Sequence, residues 1–324
     1  MIIFNNENNR NTKGTLIYFT KHLFYKYFSM HKNLYFFVSI LALLLVILNS
    51  CEKFENDQTI PAFIQIDTIG FSTEISQQGT ASHNITDAWV YVDDQLIGAF
   101  EMPAKFPVLA QGNHKVEIRA GIKLNGIAAT RVVYPFFKPI TLENCRLTPD
   151  SVTILNMSTV YYDNTVFPWI EDFENESVSL VEGNNSDTTI NITSVDSLVF
   201  EGNYSGIIYL DEDKPVFEGV SYEAYILPQL GSPVFIELNY KIENIITAGI
   251  YTQTQSQIIS SPIVNISKSD KWKKIYINIS PDVSSATNAL DFKIFFGSVK
   301  TDDVENPVIL LDNIKLVHKI YSTK

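Results

Sequence analysis

From about residue 60 to its end the chain alternates apolar and polar residues, and that period of two decides what it can become. Successive side chains of a strand point to opposite faces, so such segments can bury one face and wet the other, which a helix of the same sequence cannot do. AWVYVDD (88–94), HKVEIRAG (114–121), VFIELNYKI (234–242), WKKIYINIS (272–280) and DFKIFFGS (291–298) all follow this pattern. No stretch beyond residue 51 keeps a helical stripe for three turns. The predicted fold class is all-β, a small N-terminal sandwich over 62–148, a linker at 149–164 and a larger sandwich over 165–320.

Residues 34–48, LYFFVSILALLLVIL, carry no charge, follow Lys32 and run into Leu48-Asn49-Ser50-Cys51. A basic start, an apolar run too short for a confident span and a small residue before a cysteine make a cleavable export signal over 30–50. The closing residues resemble the bacterial lipobox, with Asn49 a slight departure from the usual small or apolar residue. That resemblance implies that Cys51 carries the lipid and begins the mature protein, with the membrane as a partner through that lipid. Residues 1–29 fit no part of a signal, so Met30 is the expected start and 1–29 a mis-assigned upstream extension. Residues 51–61, CEKFENDQTIP, read as a polar tether. Its early acids resemble the signals that send Bacteroidetes lipoproteins to the cell surface, which implies an outer-membrane, surface-exposed location.

The formal charge is -12, and residues 1–50 hold a net excess of four positive charges, which leaves -16 from Cys51 onward. A chain this acidic lacks the basic footprint that nucleic acid requires, so nucleic acid is excluded as a partner. With Cys51 committed to lipid, Cys145 stands alone and no intrachain disulfide can form. His83, His114 and His318 are far apart and none is paired at metal-ligand spacing. There is no G-x-S-x-G, and no histidine lies within thirty residues of Cys145. The chain is therefore expected not to be an enzyme.

Within 62–148, the "Val-Tyr-Val-Asp" strand at 90–93 and the glycine-led His114-Lys115-Val116 strand resemble small sandwich modules of the PEGA type. Asp93-Asp94 and Gly112-Asn113 supply turns there, and Pro103 and Pro107 bar the piece between from a central strand. Over 165–320, FPWIEDFEN, EGNYSGIIYLD, SDKWKKIYINIS and VILLDNIKLVH occur in that order. The set resembles the jelly-roll domains of the galactose-binding-like, carbohydrate-binding-module type. The resemblance implies adjacent first and last strands with an acid on each, here Glu174 and Asp312, holding a structural calcium. It also places Trp169 and Trp272 in framework strands, as core residues.

Sugars are held by an aromatic ring on the pyranose face with amides and acids on the hydroxyls. Alternation puts Glu237 and Asn239 together on the polar face of one strand, and Tyr251 and Gln253 on that of another. These four are the candidate ligand-binding residues, although an ordinary solvated sheet face looks the same. Asp67-Thr68-Ile69, Asp150-Ser151-Val152, Asp187-Thr188-Thr189 and Asp196-Ser197-Leu198 resemble the O-glycosylation tripeptide of exported Bacteroidetes proteins. The expected function is a non-catalytic, membrane-anchored surface lipoprotein whose jelly roll binds glycan or another extracellular ligand. The alternative is an accessory structural subunit of an outer-membrane transport, secretion or assembly complex.

Overall fold

The computed structural model describes residues 60–175 and 177–320. The signal at 30–50, Cys51, the stretch 1–29 and most of the tether lie outside the described residues. Within them the chain is almost entirely strand, interrupted by a one-turn helix at Ile75–Gln78 and a short helix at Ser280–Ser285. The all-β expectation holds.

The N-terminal part contains β1 (Ala62–Ile66), β2 (Ile69–Phe71), β3 (Asp87–Val92), β4 (Gln95–Glu101), β5 (Ala104–Val108), β6 (Gly112–Lys123), β7 (Arg131–Val133) and β8 (Ile140–Leu147). β9 (Val152–Ile154) and β10 (Met157–Thr159) follow. One sheet runs β4-β3-β6-β7 with β8 also on β6, a second runs β5-β1-β9, and β10 pairs with β2. Asp93 and Asp94 both take positive φ, 48° and 65°, in the two-residue turn that closes the β3–β4 hairpin, where Val92 faces Gln95. β5, which contains Pro107, lies at a sheet edge, where a missing N–H is tolerated.

The stretch 149–164 is not a linker. β9 pairs in parallel with β1, β10 pairs in parallel with β2, and Tyr161 is buried in the N-terminal core. Short strands with a free sheet edge beside them gain backbone hydrogen bonds by pairing, and these two strands extend the first sandwich.

The C-terminal part is a two-sheet sandwich. Its strands are β11 (Thr165–Glu171), β12 (Leu180–Glu182), β13 (Asn191–Thr193), β14 (Ser205–Tyr209), β15 (Val216–Ser221), β16 (Val234–Ile242) and β17 (Ile246–Gln253), then β18 (Ile258–Ile266), β19 (Ser269–Asn278), β20 (Asp291–Val299) and β21 (Val308–Lys319). The six-stranded sheet runs β13-β14-β21-β16-β19, with β11 also paired to β21; the five-stranded sheet runs β12-β15-β20-β17-β18. The first and last long strands, β11 and β21, are neighbours, antiparallel. Between the sheets the alternate residues Ile236, Leu238, Ile246, Ala248, Ile250, Ile275, Ile277, Phe292, Ile294 and Phe296 form one apolar core.

The outward face of the six-stranded sheet is the more informative one. Phe235, Tyr276 and Val317 point away from that core and enter the core of the N-terminal part, beside Tyr134, Phe136 and Tyr161. Tyr134 meets Phe235 edge-on at 5.4 Å and lies 4.7 Å from Tyr276. From Ile60 onward the chain accordingly forms one compact unit.

Candidate ligand-binding site

The alternation of β16 is as the sequence predicts, with Ile236 and Leu238 inward and Glu237 and Asn239 on the other face, but that face is not solvated. Glu237 is wholly buried and Asn239 is 2% exposed, because the N-terminal part sits on them. Tyr134 and Tyr161 both donate to Glu237 Oε1, at 2.7 and 2.9 Å. Lys274 Nζ stands 3.1 Å from Glu237 Oε2, placed for charge attraction and not aligned as a hydrogen bond. Ser82 donates to Asn239 Oδ1 at 2.9 Å, and Lys315 Nζ donates to the Thr80 carbonyl at 2.7 Å. Burial raises the Glu237 carboxyl, but Lys274, Lys315 and the two phenols outweigh it and hold it below its ordinary value. Burial, with Lys274 beside it, pulls the Lys315 ammonium down to about 7. These residues join the two sandwiches, and Glu237 and Asn239 are withdrawn as ligand-binding residues.

Tyr251 and Gln253 fare differently. Ile250 points into the core, so they emerge on the outer face of the five-stranded sheet, where a groove of about 490 Å³ is lined by both. Register sets the groove in rows: Val181–Val220–Phe295–Gly249, then Lys293–Tyr251–Ser260, then Asp291–Gln253–Ile258. The Tyr251 hydroxyl donates to Glu218 Oε2 at 2.9 Å, and its ring lies 4.7 Å from Phe295. Burial and the Glu218 carboxylate push that phenol up to about 12, so it stays a neutral donor at any physiological pH.

Two glycines permit this packing. A Cβ at Gly249 would meet the Phe295 ring and the Ser261 carbonyl at 2.5 Å, and one at Gly183 would meet Glu218 Oε1 at 2.1 Å. The rim at 183–187 is tied to β15: the Gly183 amide donates to the Glu218 carbonyl at 2.8 Å and the Glu218 amide to Ser186 Oγ at 2.8 Å. Asn184, Asn185 and Glu182 complete that rim, and Lys293 donates to the Tyr222 carbonyl at 2.8 Å. The groove thus offers a held aromatic ring, apolar Val181, Val220 and Ile258, three side-chain amides, and acids that exceed its one lysine. Sequence reading missed Glu218, Asp291 and Lys293. The alternation in DFKIFFGS could have found the last two.

The pair expected to hold calcium is otherwise employed. Glu174 Oε1 accepts the amides of Asn203 and Tyr204 at 2.8 and 3.0 Å, and Oε2 accepts Asn203 Nδ2 at 3.0 Å. Asp312, 1% exposed, accepts Ser205 Oγ at 2.6 Å and the Asn313 amide at 2.7 Å. Burial raises its carboxyl to about 7, against the pull of those hydrogen bonds. Calcium asks for six to eight oxygens, and among the described residues no three acid, histidine or cysteine side chains gather as metal ligands.

Trp169 is in the core, 5% exposed, with Nε1 donating to Ser179 at 2.8 Å. Trp272 is not. It is half-buried against Phe200, at 5.3 Å, because the parity that sends Ile275 and Ile277 inward sends Trp272 the other way. Cys145 is buried, and burial pushes its thiol up, away from reactivity. In the four Asp-Ser/Thr tripeptides, Thr68, Ser151, Thr189 and Ser197 are exposed and Thr188 is half-buried.

No protein-family model matches the sequence. No curated protein matches it either. Among solved structures the chain is similar to a xylan-binding domain of carbohydrate-binding module family 22, at 12% identity and a TM-score of 0.35, over 48% of this chain and 97% of that one. It is also similar to a family 11 carbohydrate-binding module from Clostridium thermocellum in complex with a mixed-linked tetrasaccharide, at 14% identity and a TM-score of 0.32, over 47% and 95%. The groove's own geometry carries the functional argument.

Proposed function

We propose that this protein is a non-catalytic glycan binder that holds an uncharged saccharide in the groove on the outer face of its five-stranded sheet. The carrying observation is Tyr251, half-buried on Phe295 with its hydroxyl fixed by Glu218, between Lys293 and Ser260 and one row from Gln253 and Asp291. A ring fixed this way offers an apolar face at low entropic cost, while flanking amides donate to and accept from hydroxyls and flanking carboxylates accept from them. The excess of acids over Lys293 disfavours a carboxylated ligand there.

In this reading Cys51 carries a lipid and the protein displays its groove from the outer membrane, a placement supported by the charge-free run at 34–48 and the cysteine that closes it. The test is a glycan array followed by titration calorimetry on the purified full chain. A neutral polysaccharide should bind, and Tyr251→Ala should weaken it at least tenfold. Absence of binding to every neutral glycan, or full affinity in Tyr251→Ala, sinks the proposal.

A further inference from the structure

The six-stranded sheet has a second outward region that the N-terminal part does not cover. Around the far ends of β14, β16, β19 and β21 lies a hollow of about 570 Å³, lined by Leu198, Tyr209, Lys241, Lys273, Val308 and Leu310 among others. Its floor is apolar. Tyr209 is 52% exposed although it stands in a strand whose other residues are buried, so its ring faces solvent across that floor.

The charges in this hollow differ from those of the rest of the molecule. Lys241 lies between Tyr240 and Ile242, both in the sandwich core, and therefore projects outward; Lys273, paired with Tyr240 and sharing the parity of Ile275, lies on the opposite face from Lys241 and reaches the hollow only at its rim, where it is exposed. Among the described residues neither has an ion-pair partner, whereas Lys268 on the rim is bound to Asp303. Of the two acids lining the hollow, Glu243 already accepts the Val308 amide at 2.9 Å through Oε2, leaving Asp270 on the rim. Register puts Tyr209 opposite Val308 and Lys241 opposite Leu310, so the two residues stand on strands about 10 Å apart, on either side of β21 and offset by two residues along it.

We infer that this hollow is a second saccharide site, and that it takes an acidic sugar, one bearing a carboxylate. Tyr209 supplies the stacking face, Leu310 and Val308 the apolar floor, and Lys241 the cation that pairs with the carboxylate, with Lys273 a second positive charge at the rim. An acidic chain of net charge -16 from Cys51 repels such a ligand elsewhere, and an outward lysine without an ion-pair partner among the described residues, in the same hollow as an exposed ring, marks the place where it is accepted. The site lies on the opposite sheet from the groove and does not depend on it.

The test is calorimetric titration of the full chain with a galacturonic acid tetramer, with a galactose tetramer and inorganic sulfate as controls. The acidic tetramer should bind saturably and weaken as salt is raised from 50 to 200 mM. The double variant Lys241→Ala/Lys273→Ala, and separately Tyr209→Ala, should weaken it at least tenfold, while Tyr251→Ala leaves it unchanged. Lys241 and Lys273 are unpaired and Tyr209 is half in solvent, so these variants should melt as the parent does. No saturable binding of the acidic tetramer, equal competition by sulfate alone, or loss of binding in Tyr251→Ala with retention in the lysine variant would each overturn the inference. Failure of the groove to bind neutral glycan would leave this outcome untouched.

Discussion

At the scale of single residues, two buried carboxyls are held in opposite ways. Asp312 is raised from 3.8 to about 7 chiefly by burial, so the folded state favours the protonated acid. A group raised on folding contributes stability that is whole below its unfolded value and lost as pH climbs through the folded one. Thermal melts should therefore show a decline between about pH 4 and pH 7 that Asp312→Asn removes, because the amide is neutral at both ends and its oxygen still accepts from Ser205. A variant that melts with the parent's pH profile contradicts this account. Glu237 is the reverse case, an anion kept charged by Lys274, Lys315 and two phenols. Glu237→Gln leaves Lys274 buried without its counter-charge, and breaking such a pair costs about 3–5 kcal/mol. Denaturant unfolding should register that loss at pH 7; a change below about 1 kcal/mol would show the pair to be inert.

At the scale of elements, β17 links packing to binding. Gly249 is the position at which the Phe295 ring crosses the strand, and Phe295 in turn supports Tyr251. Gly249→Ala places a methyl 2.5 Å from both the ring and the Ser261 carbonyl, so overpacking of about 1–3 kcal/mol is expected. Neutral-glycan affinity should fall with it as the Tyr251 ring is displaced, and a variant with unchanged melting would remove Gly249 from the design. This also shows what the sequence could convey. Alternation put Glu237 and Asn239 on one face of β16, and Tyr251 and Gln253 on one face of β17, as the structure has them, because side-chain parity is a local property. It could not say what covers a face. Glu237 and Tyr251 carry the same local signal, yet Glu237 is capped by Tyr134 and Tyr161, 103 and 76 residues away, and Tyr251 is left to the groove. Trp272 was misplaced for a related reason: a resemblance assigned it to the core, against the parity of its own strand.

At the scale of the whole molecule, the shared face changes what the two sandwiches are. Phe235, Tyr276 and Val317 belong by sequence to the second sandwich and by packing to the core of the first. Tyr276 Oη accepts the Asn84 amide at 3.0 Å, its carbonyl accepts the Asn125 amide at 2.9 Å, and Asn125 Oδ1 accepts the Asn278 amide at 2.8 Å. A sandwich cut free at residue 165 would expose Glu237, Asn239, Lys274 and Lys315 beside three large apolar side chains, a face suited neither to water nor to a core. The two parts should consequently unfold together. Scanning calorimetry on the full chain is expected to give one transition whose calorimetric and van't Hoff enthalpies agree, and Glu237→Gln should lower that transition as a whole. Two resolved transitions, with only one moved by Glu237→Gln, would mean that the sandwiches are energetically separate and the seam merely tethers them. If one transition is found, ligand in the groove must stabilise the N-terminal sandwich too, since binding to the folded state alone raises the whole cooperative unit. Protection of β3 and β6 amides from hydrogen exchange on adding neutral glycan would then follow, although neither strand touches the groove.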